Sequence, residues 1–331
     1  MSRLILDADG VFLDERPYWD AALAAAFAIN GLESYVDGQW TLLTDVAFVQ
    51  LGLQRLTKRR GCNSNWDLAA VLSKALANAS VQRQIAESLD KRDYEDALQT
   101  VARRAELLWD DGEGDDRESN SAERGRDPLL RFGIDRRNAE FSDVRTMFQR
   151  ALNDGLRPGQ DTLKPRLLET RETTRSAFAA CRALGYELWV CTGRSRNEIV
   201  APIVELRLEA ELSPERIVSH DEIVAVERRT GVAFLGKPHW FPPACAAVGI
   251  EEAVALLEGK RPAPDAASCV YVGDALADFQ SAAGCRVVGI PMEYVHVRSK
   301  ATVEVDERLI ASCSGTRAVI HRLSELPVCL G

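Results

Sequence analysis

The sequence has no apolar run long enough to cross a bilayer. Its longest, "AALAAAFAI" at Ala21 to Ile29, falls well short of the roughly 20 residues that a span requires. It has no excess of positive charge either: the formal net charge is -9, which excludes broad attraction to nucleic acid or anionic membrane. Histidine is scarce, and His220, His239, His296 and His321 stand far apart with no HExxH-type spacing. The eight cysteines include no CxxC pair. With neither thiol nor imidazole clusters, a zinc or iron centre is not indicated. Several cysteines lie inside apolar runs, as in "WVCTG" and "ASCVYVG", and read as small buried residues kept in a reducing compartment. The N-terminus places an acid at Asp7 and lacks the basic, apolar and small-residue succession of an export signal. A soluble, cytoplasmic protein is expected.

What the sequence does have is enough apolar material for a large core, 46% of 331 residues, with 27% charged. Two domains are expected. Three segments share one local design, a short apolar run ending in a polar, glycine-bearing turn: "RLILDADG", "YELWVCTGR" and "SCVYVGDALAD". Such runs read as strands buried on both faces of a parallel sheet. Further strands are expected at "RIVSH" (Arg216 to His220) and "CRVVGI" (Cys285 to Ile290). Ahead of Tyr186, Ala177, Phe178, Cys181 and Leu184 recur at helical spacing and Gly185 stops the helix. Alternation of helix and strand predicts an α/β fold with a doubly wound, Rossmann-like parallel sheet.

Far more chain separates the first strand from Tyr186 than one crossover helix needs. Much of it is helical in pattern, as in "WDLAAVLSKALANASVQRQIAESL" and "YEDALQTVARRAELLW". The expected organisation is therefore a sheet domain from residues 1–15 and 162–331, interrupted by a helical insert at 16–161. Within the insert, 110–127 is polar, glycine-bearing and almost without apolar residues, the composition of a disordered loop.

Ligands bind at the carboxyl ends of strands in an open parallel sheet. The three strand ends supply Asp7 and Asp9; then Thr192, Gly193 and Arg194; then Asp274 and, one helical turn on, Asp278. The segment "FLGKPHW" adds Lys237, with Pro238 at an expected helix start. Acids crowded this closely repel unless a cation or a shared proton relieves them. An all-oxygen set of this kind suits Mg²⁺.

These pieces, "DADGV" (Asp7 to Val11), "CTGR" (Cys191 to Arg194), "GKP" (Gly236 to Pro238) and "GDALAD" (Gly273 to Asp278), resemble in order the four motifs of the haloacid dehalogenase superfamily. The resemblance covers the sheet domain and says little about the insert. It implies that Asp7 is a nucleophile forming an aspartyl-phosphate. Asp9 would protonate the leaving oxygen and then activate water. Thr192 and the Gly193 amide would hold phosphoryl oxygens, and Lys237 would neutralise charge on nucleophile and substrate. Asp7, the Asp9 carbonyl, Asp274 and Asp278 would hold Mg²⁺, Asp278 either directly or as a support for the others. Arg194 either touches substrate or pairs with a nearby acid. Family dehalogenases lack an acid at the position of Asp9, so the resemblance implies a phosphohydrolase acting on a small phosphorylated substrate. A phosphomutase, or a phosphate-binding regulator without turnover, is the alternative. The insert would be the family's helical cap between the first two motifs. Asp14 and Glu15 are expected as solvated hinge acids, and Lys58, Arg59 and Arg60 as either a substrate contact or a solvated helix end. Nothing in the sequence assigns an oligomeric state.

Overall fold

The computed structural model describes residues 2–36, 39–54, 57, 65–111, 128–136, 138–154, 165–259, 268–298, 310–311 and 313–331. Lys58, Arg59 and Arg60 lie outside them, as does the expected loop except for Asp110 and Asp111, which end a helix. The chain divides into two compact units, Met1–Asp14 with Pro165–Gly331, and Glu15–Lys164.

The first unit is built on six parallel strands: β1 (Ser2–Leu6), β2 (Tyr186–Cys191), β3 (Ile217–Val218), β4 (Cys269–Gly273), β5 (Met292–Val297) and β6 (Thr316–Ile320). Their order is β3-β2-β1-β4-β5-β6, and every pairing is parallel. This is a doubly wound, Rossmann-like α/β fold. The chain works outward from β1 to β3, then crosses to β4 on the other side of β1. The switch point therefore lies between β1 and β4, the place where such sheets bind ligands.

Both sheet faces are buried, because successive residues of a strand point to opposite sides. Leu4, Leu6, Leu188, Val190, Val270, Val272, Val295 and Val297 face one layer with Phe178, Ile199 and Ile203. Ile5, Cys191, Cys269, Tyr271, Met292 and Tyr294 face the other with Phe241, Cys245 and Cys285. This two-sided burial is why the strands read as continuous apolar runs rather than alternating ones. The helix Arg171–Ala183 covers the first face; Thr170 caps its start by accepting from the Thr173 N–H, and Gly185 turns the chain beyond it with φ 88°. Five described cysteines, Cys181, Cys191, Cys245, Cys269 and Cys285, are buried and unbridged.

The expected strand at Cys285 to Ile290 is not there. The helix Leu276–Val287 runs through its first half, with Cys285 buried on the inner side and Val287 87% exposed. β-branched composition suggested a strand, but the helix begun at Leu276 still has an apolar face to bury and continues. The fifth strand instead follows Pro291, and the sequence reading passed over β6. Pro238 likewise does not start a helix: the next one is Phe241–Val248, with proline in its first turn.

The chain leaves the sheet unit through a tight loop. Gly10 has φ 71°, the Leu13 N–H returns to the Ala8 carbonyl at 2.9 Å, and Leu13 bridges Leu167 in antiparallel fashion. The Leu168 N–H donates to the Phe12 carbonyl at 3.1 Å, and the Asp14 N–H to the Arg166 carbonyl at 2.9 Å. Departing and returning segments are thus paired side by side. Asp14 and Glu15 are buried, each 7% exposed, contrary to the expectation of solvated acids. The backbone pairing at Asp14 holds that turn inside the fold rather than on its surface.

Every element described in the second unit is helical, the longer ones being Arg16–Ile29, Asn65–Leu76, Ala79–Asp90, Tyr94–Asp111 and Ala139–Asp154. The alanine-rich stretch of the first is almost wholly buried, since small side chains let neighbouring helices approach closely. The stretch from Trp66 to Leu89, helical in pattern, forms two helices, split where Asn78 caps the second by accepting from the Ser80 and Val81 N–H groups. Two arginines of this unit have structural partners: Arg131 stacks on Trp109 at 4.2 Å, and Arg136 donates to the buried Asp67 at 2.9 Å.

Phe178 is fully buried and meets Phe12 edge to face at 5.9 Å. Phe178→Ala is expected to cost about 3–5 kcal/mol, read as a lowered midpoint of chemical denaturation.

Candidate active site

Register places the reactive side chains. Leu6, the last residue of β1, pairs with Val190 on one side and Val272 on the other, so β2 and β4 each run one residue further. Asp7 follows Leu6 directly, and its N–H donates to the Val272 carbonyl at 2.8 Å. Thr192 and Asp274 each stand two residues beyond those partners. The Thr192 N–H donates to the Val218 carbonyl at 3.0 Å, which anchors the second strand end to β3.

At the switch point Lys237 bridges two acids: its Nζ is 2.8 Å from Asp7 Oδ1 and 2.8 Å from Asp278 Oδ1. Asp7 Oδ1 also accepts from the Ala8 N–H at 2.8 Å. Asp278 is held at both oxygens. Oδ2 accepts from the Ala275 N–H at 3.1 Å, as an acid in a first helical turn does, and Oδ1 accepts from the Tyr271 hydroxyl at 2.8 Å. Asp278 therefore serves both as a helix cap and as a member of the cluster. Ligand atoms of Asp7, Asp274 and Asp278 lie within 4.8 Å of one another.

Asp9 has a different neighbour. The guanidinium of Arg194 forks onto its carboxylate, with Nε 3.1 Å from Oδ1 and 3.0 Å from Oδ2, and Nη2 also on Oδ1. Nη1 of the same side chain reaches the Glu198 carbonyl at 3.3 Å. Of the two readings open for Arg194, the described contacts show the acid pairing. Its backbone N–H donates to Thr192 Oγ1 at 3.2 Å, which ties the hydroxyl of the second strand end to the same loop. Gly193 is exposed, with nothing within 4 Å of where a Cβ would stand.

The electrostatics follow from burial. Desolvation pushes Asp7 up to about 7; the Lys237 ammonium pulls the other way, and Asp278 and Asp9 add to the rise. Burial also works against the charge on Lys237, but Asp278 and Asp7 outweigh it and hold the ammonium above the ordinary lysine range. Asp278 is lowered although burial opposes its ionisation, because Lys237 sits beside it and Lys237, Tyr271 and Ala275 all donate to it. Burial holds His296, on β5, down at about 4, so it is neutral at pH 7.

A divalent cation fits these residues. The donor set is oxygen throughout. The formal charges of Asp7, Asp9, Asp274 and Asp278 exceed those of Lys237 and Arg194 by two. Backbone geometry makes room as well: a Cβ on Gly10 would stand 1.9 Å from Asp274 Oδ2, so only glycine lets the loop pass over that carboxylate. Asp9 offers the cluster its backbone carbonyl only as an expectation, its side chain being given to Arg194.

Sequence reasoning missed Tyr271. Its ring centroid is 5.5 Å from Lys237 Nζ, and its hydroxyl reaches Asp278. The signal was available, for "CVYVG" carries one hydroxyl in an otherwise apolar buried strand.

A family model described as haloacid dehalogenase-like hydrolase matches residues 1–286. No curated protein matches the chain. Among solved structures, Northeast Structural Genomics Consortium target ZR25 is 16% identical over 100% of this chain and 98% of its own, with a TM-score of 0.63, a likeness of fold. A HAD hydrolase, family IA, variant 3, from Entamoeba histolytica HM-1:IMSS is 11% identical over 100% and 99%, at 0.43. A structure titled as a dehalogenase is 11% identical over 98% and 95%, at 0.39. The last two are too distant to carry an argument.

A proton and a divalent cation compete for Asp7. Below about pH 7 the carboxyl is protonated in the ion-free protein. The affinity for a divalent cation is expected to fall about tenfold for each further pH unit, one proton being released per ion bound. Calorimetric titrations in buffers of different ionisation enthalpy check this, with proton release expected at pH 6 and almost none at pH 9. The sign for stability is the reverse of the usual carboxylate: with its folded value raised, Asp7 contributes stability that grows as pH falls from about 7 toward 4.

Proposed function

The chain belongs to the haloacid dehalogenase-like hydrolases, and we propose that within this family it is a Mg²⁺-dependent phosphohydrolase acting on a small phosphomonoester. The observation that carries the reading is Asp9: a second acid, two residues beyond Asp7, fixed in the same loop. Cleaving a carbon–halogen bond needs no protonated leaving oxygen, whereas cleaving a phosphate ester does.

In this reading Asp7 attacks phosphorus as the ester bond breaks, giving an aspartyl-phosphate, and Asp9 supplies the proton that the departing oxygen takes. Water then cleaves the intermediate as Asp9 takes the proton back. Lys237, already 2.8 Å from Asp7, offsets the repulsion between carboxylate and phosphoryl dianion. Thr192 and the exposed Gly193 amide are the proposed phosphoryl contacts. Mg²⁺, when bound by Asp7, Asp274, Asp278 and the Asp9 carbonyl, supplies the remaining charge neutralisation. Both Asp9 oxygens are occupied by Arg194 in the resting site, so the fork opens and Asp9 takes up a proton from solvent before it gives one to the leaving oxygen. A phosphoryl dianion is the competitor able to draw the guanidinium away, which makes Arg194 a substrate contact as well as a restraint.

The helical unit Glu15–Lys164 is read as a cap whose movement excludes water from the transfer step. Substrates are taken to be small anionic metabolites rather than nucleic acid or membrane, in keeping with the net charge of -9. The work is assigned to the cytoplasm.

The test is phosphate release from p-nitrophenyl phosphate and a panel of metabolite phosphates with Mg²⁺. Asp7→Asn is expected to lower kcat at least about 10³-fold. Equal rates for wild type and variant, or halide release from 2-haloacids without phosphate release, would overturn the reading.

A further inference from the structure

Tyr271 is fully buried in a layer of side chains that a phenylalanine would fill equally well. Its hydroxyl nonetheless has a specific partner, Asp278 Oδ1 at 2.8 Å. That oxygen also receives Lys237 Nζ at 2.8 Å, and Lys237 in turn is 2.8 Å from Asp7. A continuous line of contacts thus runs from a hydroxyl in the sheet core to the proposed nucleophile.

The backbone is shaped to permit this line. Asp278 folds back over the end of β4, where a Cβ on Gly273 would stand 2.4 Å from its own Cβ. With Ala275 N–H on Oδ2 and two donors on Oδ1, the carboxylate has one orientation. Without the hydroxyl, Oδ1 would answer to Lys237 alone, and the pair would be free to turn about the Ala275 contact. The floor beneath is also fixed. Tyr294 stands against Tyr271 at 6.2 Å, its own hydroxyl 3.4 Å from the Ala275 carbonyl and 3.2 Å from His296 Nδ1. Groups that orient the ligands of an ion typically change affinity or activity by about 10–100-fold when removed.

We propose that Tyr271 is a positioning residue: through Asp278 it sets where the Lys237 charge stands over Asp7, and thereby the affinity of the cluster for a divalent cation and the rate of phosphoryl transfer. The rate clause rests on the phosphohydrolase reading above; the affinity clause does not.

Tyr271→Phe keeps the ring, its packing and its face toward Lys237, and removes only the hydroxyl. Mg²⁺ alone, titrated calorimetrically, is expected to bind the variant about 10–100-fold more weakly, with an unchanged far-ultraviolet circular dichroism spectrum. On an Asp278→Asn background the same substitution is expected to add less than about threefold, because the carboxylate through which it acts is gone. Turnover of any phosphomonoester cleaved by the wild type is expected to fall about 10–100-fold in kcat with KM changed less than about threefold. Mg²⁺ affinity within about twofold of wild type, together with a lowered unfolding midpoint, would show a packing role and overturn the inference. So would a full additional loss on the Asp278→Asn background, or an absence of Mg²⁺ binding by the wild type. If the Mg²⁺ results are as expected but the wild type cleaves no phosphomonoester, the phosphohydrolase reading and the rate clause fail, and the positioning of the cluster stands.

Discussion

Three carboxylates just beyond the ends of adjacent parallel strands, and a fourth in the helix that follows, repel one another, and the site is organised around the two cations that relieve them. Lys237 divides its ammonium between Asp7 and Asp278; Arg194 takes Asp9. The division separates the acids into two groups with different surroundings. Asp7, Asp274 and Asp278 form a cluster suited to an ion, while Asp9 is held aside in a fork of hydrogen bonds. A desolvated carboxylate with only a shared ammonium is pushed toward its neutral form, as the value of about 7 for Asp7 expresses. Ionisation of that group is thereby tied to whatever further positive charge arrives.

The sheet supplies the rigidity that such crowding demands. In-register strand pairing and backbone hydrogen bonds from Asp7 and Thr192 to neighbouring strands leave the polar loops little freedom. Two glycines then allow closer approach than side chains permit, Gly10 over Asp274 and Gly273 beneath Asp278. In both places the absent Cβ is a requirement of the acids rather than of the turn alone.

Much of this was legible in the amino-acid order. Apolar runs ending in acids or glycine marked β1, β2 and β4, because strands buried on both faces have no polar side to alternate with. The residues at their ends converge, with Lys237, as the motif order implied. Where the reading failed, a local preference was overruled by what came before it. Val287 and Val288 looked like strand but complete a helix already committed to burying Cys285. Asp14 and Glu15 looked solvated because acids usually are; both are buried, Asp14 where its N–H pairs with the returning arm of the loop. Which acid Arg194 takes was not legible, since Asp9 stands 185 residues away in the chain; the Tyr271 hydroxyl was visible in its strand, but nothing in the spacing aimed it at Asp278.

The pairing of Asp14 with Arg166 and of Phe12 with Leu168 means that about half the polypeptide is spliced in between two points that touch. Closing so long an excursion costs only logarithmically with its length, and the stem has already closed it. The backbone pairing at the stem is then complete whatever length of chain runs between Asp14 and Arg166. Lengthening or shortening that excursion by a few residues is therefore expected to add little to the cost of closing it.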